Sequence, residues 1–217
     1  RLAAQNKTKS AGDGGQLAPS NAYITYLDGQ GQVKSKEGAE WNKAKINQEL
    51  NQGDIVKTNN GTRAEIMTND GDVIRLAENT RMEINKLEGN PPQKVKKSGF
   101  FLSLGRMWNR AKSLASPESE YIVRTPTAIS GVRGTSFAVA VGAEQDTNLK
   151  IYSGVVQVWN PQMAEGKPSG AFKEPVRVQG PQRVSMEQWT EIVLKQYQHL
   201  RVTSKGIESQ DTFDPAK

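Results

Sequence analysis

The residues best placed to do chemistry lie in one stretch, "VRTPTAISGVRGTSFAVAV", from Val123 to Val141. It sets Ser and Thr hydroxyls beside two arginines, a proline and two glycines. A hydroxyl becomes a nucleophile only with a base beside it and a third group that orients the base. The only histidine is His199, at the polar end of a late helix-like pattern, and it reads as a surface residue. No lysine or carboxylate is placed by spacing to take its role. "GVRGTS" lacks the Lys-Ser/Thr ending of a phosphate loop, and no strand-then-helix context makes it a dinucleotide fingerprint. No catalytic residue is assigned, and the chain reads as a non-enzyme.

A structural reading fits the same residues. Thr125 precedes Pro126 and is held extended, because a residue before proline avoids the helical region. Gly131 and Gly134 permit turns or close backbone approach. Arg133 lies between them with five donors to offer to carbonyls. Thr135 and Phe137 then lead into an alternating strand. "GVRG" on this reading is a corner between β-layers.

Other chemistry is weaker. "NDGD" at 69–72 carries acidic ligands but not the full calcium-loop pattern, so a tight turn is expected. No cysteine is present, which removes disulfides, thiolate metal sites and thiol nucleophiles together. No metal or cofactor is assigned. The four tryptophans, Trp41, Trp108, Trp159 and Trp189, read as core or rim packing. Trp159, at a strand end before Asn160-Pro161, is the best candidate for a ligand platform. "KVKK" offers Lys94, Lys96 and Lys97 to phosphate or an acidic glycan, against a default of solvated loop. The net charge of +6 favours acidic partners, but it is scattered, and no segment matches a nucleic-acid module.

The elements that must position these residues are short strands. Residues 1–20 lack periodicity and read as a flexible linker. From residue 22, Tyr23, Thr25 and Leu27 alternate with Ile24 and Tyr26, and "DGQG" supplies a turn. Trp41 reads as a core anchor. Ile66, Ile74 and Met82 recur every eight residues, with Leu76 and Ile84 repeating the spacing. Period-two alternation makes these half-buried strands. Asp70-Gly71 argues for a hairpin, while the recurrence argues for stacked rungs. Residues 89–99 read as an exposed loop. A strand is expected from Phe100, with a turn near Gly105 and a helix after it. Strands return around Phe137–Val141, Leu149–Ile151 and Val156–Val158. Met186, Trp189, Ile192, Val193, Gln196 and Leu200 fall at helical spacing. Ser185 and Gln188 form a capping box, so an amphipathic helix starting at Ser185 is expected. Residues 204–217 read as a fraying tail.

"TPTAISGVRGTSFAV" resembles the signature of the FecR domain family, the iron-dicitrate sensor regulators and their relatives. "LNQGDIVKTNNGTRAEIMTNDGDVIRLAENTRMEI" is similar to the same family, and "LSLGRMW" and "YSGVVQVW" fall where it has strands. The resemblance covers roughly Ile24 to Trp159. It implies an all-β domain outside the cytoplasmic membrane. The best-known members carry an N-terminal cytoplasmic anti-sigma segment and one membrane span, and relay a signal from an outer-membrane receptor by protein contact. The start at Arg1 without methionine fits a processed fragment. One departure is evident: residues 175–217 are too short for the mixed α/β receptor-contacting subdomain of those regulators.

The expectation is therefore an all-β domain, solenoid-like or a twisted β-sandwich, with one C-terminal amphipathic helix. Its parts are a linker at 1–20, the FecR-like domain at 21–160, an extension at 161–203 packed on the β-core, and a tail at 204–217. The expected role is envelope signal transduction or scaffolding in the periplasm. The partner is an envelope protein, an outer-membrane receptor or another periplasmic protein. The alternative is a module that binds peptidoglycan or another polysaccharide.

Overall fold

The computed structural model of the chain describes residues 18–90, 94–161, 184–185 and 191–216. Every regular element among them is a strand. In chain order these are β1 (Ala18–Pro19), β2 (Ala22–Asp28), β3 (Gly31–Lys34), β4 (Asn42–Lys43), β5 (Glu49–Leu50), β6 (Ile55–Thr58) and β7 (Arg63–Thr68). They continue with β8 (Val73–Leu76), β9 (Arg81–Asn90), β10 (Val95–Arg110), β11 (Glu120–Arg124), β12 (Ile129–Val132) and β13 (Ser136–Val141). The last are β14 (Thr147–Ser153), β15 (Val155–Trp159), β16 (Val184–Ser185), β17 (Glu191–Lys195), β18 (Gln198–Thr203) and β19 (Gly206–Thr212).

Their pairing makes two sheets that share one strand. The first runs β4-β3-β6-β9-β10-β11-β12-β15-β17, with β1 also on β9. The second runs β5-β2-β7-β8-β10-β13-β14-β18-β19-β16. β10 belongs to the first sheet up to Leu104 and to the second from Gly105. Gly105 makes that passage possible. Its φ is +93°, and a Cβ there would run into the backbone of Thr80. The strand therefore continues to Arg110, where a turn and a helix were expected.

Alternation along the strands sends one set of side chains inward. Ile24, Ile66, Ile74, Met107, Phe137 and Leu149 of the second sheet meet Val56, Ile84, Phe100, Leu102 and Val123 of the first in one core. Each such large side chain contributes about 1.5–3 kcal/mol by leaving water. Tyr121 stands at the centre. Its ring lies 5.4 Å from Phe100 and 6.4 Å from Phe137, the latter edge-on, so it ties the two sheets together.

The pairings decide between hairpin and rung. β7 and β8 are antiparallel, and Ile66 faces Ile74 directly across the turn at Asp70-Gly71. Met82 and Ile84 belong to the other sheet. The eight-residue recurrence is thus a hairpin plus a sheet change, not a solenoid. The one parallel pairing among the described residues is β10 with β11, which requires the chain to cross back from the second sheet through residues 111–119.

Five expectations are corrected. Residues 191–203 are not helical: β17 pairs with β15 and β18 with β14, and Ile192, Leu194, Leu200 and Val202 enter the common core. Ser185 lies in β16 rather than at a helix cap, and Met186 and Trp189 lie outside the described residues. The expected tail carries β19, paired with β18. The expected exposed loop at 89–99 contains the start of β10, with Val95 and Lys96 buried. Trp41 is only half-buried, at a sheet edge beside Lys57 and Arg81.

Candidate functional site

The crossover at residues 111–119 must be held in place, and the motif residues do this. The Ala111 amide donates to the Thr135 carbonyl at 3.0 Å. Arg133 Nη2 donates to the Pro117 carbonyl at 2.6 Å. Gly134, with φ +62°, lies against Ser113, where a Cβ would sit 3.1 Å from the Ser113 Cα. The Thr135 hydroxyl donates to the Val155 carbonyl at 3.0 Å. Phe137, fully buried, then fixes β13 on Tyr121.

The segment from Thr125 to Thr127 forms a second junction. Thr125 closes the turn between β11 and β12 by accepting from the Ala128 amide at 2.9 Å and donating to the Ala128 carbonyl at 3.1 Å. Thr147 of β14 lies between Thr125 and Thr127, at 2.7 Å from each hydroxyl. Thr127 also reaches the carbonyls of Gln145 and Val202. This hydroxyl chain, buried throughout, bolts the first sheet to the second. Pro126 caps it, half-buried.

A third junction is ionic. Asp72 is completely buried at the start of β8. Its carboxylate accepts from Lys96 Nζ at 2.8 and 3.0 Å and from the Lys112 amide at 2.8 Å. Lys96 comes from the first sheet, so the pair crosses the core edge. Close by, the Tyr121 hydroxyl donates to Asn109 Oδ1 at 3.1 Å. Burial, with Asp72 adding to it, holds the Tyr121 phenol well above its ordinary range.

The upstream motifs behave alike. Asp54 accepts from the Lys36 and Asn51 amides. Thr58 bonds the Ala77 carbonyl and the Thr80 amide, and Thr80 receives the Arg106 amide. At these points buried side chains satisfy backbone groups where the ladder is interrupted.

The expected binding residues do not form one site. Trp159 is half-buried. Its ring covers Gly131, where a Cβ would fall 2.6 Å from it, and its indole N–H donates to Glu191 at 3.2 Å. One ring face is thus spent on backbone. Lys96 is internal, Lys94 is exposed, and Lys97 sits half-buried on β10 opposite Glu88 and Glu120. His199 lies on β18, not on a helix, with Nδ1 3.1 Å from Asp211 and Nε2 3.2 Å from Asn148. Among the described residues, no motif hydroxyl is hydrogen-bonded to a histidine, lysine or carboxylate. Sequence reasoning weighed Asp72 only as part of the turn at 69–72 and missed its buried ion pair, whose partner lies 24 residues away. The local signal for a pairing was no more than a carboxylate directly before the alternating run of β8.

Comparison with known proteins bears on the family and the fold. A family model described as FecR protein matches residues 54–157. A crystal structure of a Parabacteroides distasonis protein assigned as an anti-sigma factor superimposes with a TM-score of 0.52 at 17% identity. A second crystal structure from that organism, assigned in the same way, gives 0.51 at 17%. Each match covers 75% of this chain and 61% of the other, so this chain spans about three fifths of the proteins it resembles in fold. None of the curated protein sequences compared with it matches.

Proposed function

Because residues 54–157 match the FecR protein family model, we propose that the chain carries a FecR-type signal-transduction domain that works on the periplasmic side of the cytoplasmic membrane by contact with another envelope protein. One observation carries this reading: the inward-facing polar side chains of the motifs, from Asp54 to Thr135, are used up inside the fold. Asp54, Thr58, Thr80, Thr125, Arg133 and Thr135 all hold backbone groups. What they leave for function is outer surface, and a surface acts by binding. The working unit runs from about residue 21 through β19, because the strands after residue 190 extend both sheets and share the core.

The test is crosslinking in intact cells from single photoreactive residues on exposed strand positions, followed by mapping of the adducts. Adducts to one envelope protein, clustered on one face, support the reading. Adducts spread over all faces, or none to protein, defeat it. Loss of a substrate-converting activity on changing one hydroxyl of the motif would defeat the non-enzymatic part.

A further inference from the structure

The outer face of the second sheet carries a feature built from the outward-facing residues of the same strands. One row of cross-strand neighbours runs Tyr26, Glu65, Arg75, Trp108, Ala138, Lys150 over six adjacent strands. The Arg75 guanidinium lies over the Trp108 ring at 4.9 Å, and its Nε donates to Glu65 at 2.8 Å. Ala138 is small, so a hollow opens between Trp108 and Tyr152. The resulting groove has a volume of about 650 Å³ and reaches the rim of the sheet at Gly61 and Glu78.

Its charges are unevenly committed. Glu65 is paired with Arg75, and Glu78 accepts from the Gly61 amide at 2.7 Å. Arg63 and Arg106 also line the groove, both exposed, and neither forms an ion pair among the described residues. Tyr26 is 49% exposed at one end. Aromatic rings and two uncommitted guanidinium groups therefore share a single hollow.

We propose that this groove binds a carboxylate-bearing glycan. Flat aromatic rings offer faces to sugar rings, and a guanidinium fork pairs with a carboxylate through two parallel hydrogen bonds. A glycan fits better than an acidic peptide. The groove lies on the face of a sheet, where backbone donors and acceptors are used in the ladder, so an extended peptide would find no main-chain partners as it would at an edge. This inference does not depend on the protein-contact reading.

Titration calorimetry on the full chain tests it, with hexagalacturonate as probe, cellohexaose as its neutral counterpart and hexaglutamate as the acidic peptide. The expected result is saturable binding of hexagalacturonate, weakened at higher salt, with cellohexaose at least about tenfold weaker. Arg106→Gln should remove most of the preference for the acidic sugar, and Ala138→Trp, which fills the hollow, should abolish binding. Thermal melts of both variants confirm that they fold. Binding of hexagalacturonate that neither folded variant changes, or no binding at all, overturns the proposal. Hexaglutamate binding as tightly as hexagalacturonate overturns it in favour of an acidic-peptide site.

Discussion

Replacing Asp72 with alanine should be among the most damaging single changes in this protein. The carboxylate is completely buried and the Lys96 side chain is 11% exposed. Removing the acid leaves an ammonium inside the fold without its partner, and the Lys112 amide without its acceptor. Breaking a buried ion pair from one side costs about 3–5 kcal/mol. The orphaned amide does not add fully to this, because the crossover can relax, so about 4 kcal/mol is the working figure. Lys96→Met should cost a similar amount, since it strands the carboxylate. The paired change Asp72→Leu with Lys96→Met leaves no unpaired charge and should recover most of the loss. Urea unfolding followed by circular dichroism reads this directly. With a slope of about 2 kcal/mol per M, each single variant should unfold roughly 2 M earlier, and the double variant within about 1 M of the parent. Single variants shifted by less than about 0.5 M, or a double variant showing the sum of the two losses, would refute the argument.

Arg133→Ala should cost about 1–3 kcal/mol and speed amide exchange across residues 111–119. Unchanged exchange there would show that the arginine does not hold the crossover. Thr147→Val breaks the hydroxyl chain and should lower stability by about 1–2 kcal/mol, measured by urea unfolding, whereas a neutral result would mean that Thr125 and Thr127 satisfy each other unaided. Partial desolvation by its neighbours, with the Asp72 charge adding to it, raises the carboxyl pKa of Asp70 although the residue lies on the surface. Folding therefore slightly disfavours its ionised form, and stability falls by a small, solvent-screened amount as pH rises through that pKa. Asp70→Asn should therefore raise the melting temperature at pH 7, with the gain fading below pH ~4. A gain independent of pH would contradict this.

The sequence disclosed the strands and corners better than the way they pair. Alternation in "RAEIM" and "RMEI" was sufficient to orient β7 and β9, and Thr125-Pro126 to mark an extended entry. The recurrence of Ile66, Ile74 and Met82 could not distinguish a hairpin from a rung, because both place apolar residues eight apart. The late helix was misread for a physical reason. β17 and β18 are joined by a tight turn with Tyr197 at φ +62°, a position without glycine or asparagine to announce it. Two short strands, folded on each other, put Ile192, Val193 and Leu200 at spacings that also suit a helix. The site was legible only where residues act locally. Thr125 bonds Ala128, three residues on, but Lys96 meets Asp72 and Arg133 meets Pro117 across long stretches of chain. Trp159 stood out as a candidate ligand platform because nothing in the sequence shows that Gly131 lies beneath its ring.

The measurement closest to the central claim is capture of the protein from crosslinked envelopes, with and without muramidase digestion, by variants that probe the surface and the motif separately. The account predicts one specific protein partner that survives digestion. It should be lost on changing exposed residues of one face and retained by Arg133→Ala wherever that variant is folded. Recovery that vanishes with the digested wall, or a partner lost on changing Arg133 in a protein of unaltered stability, would contradict it.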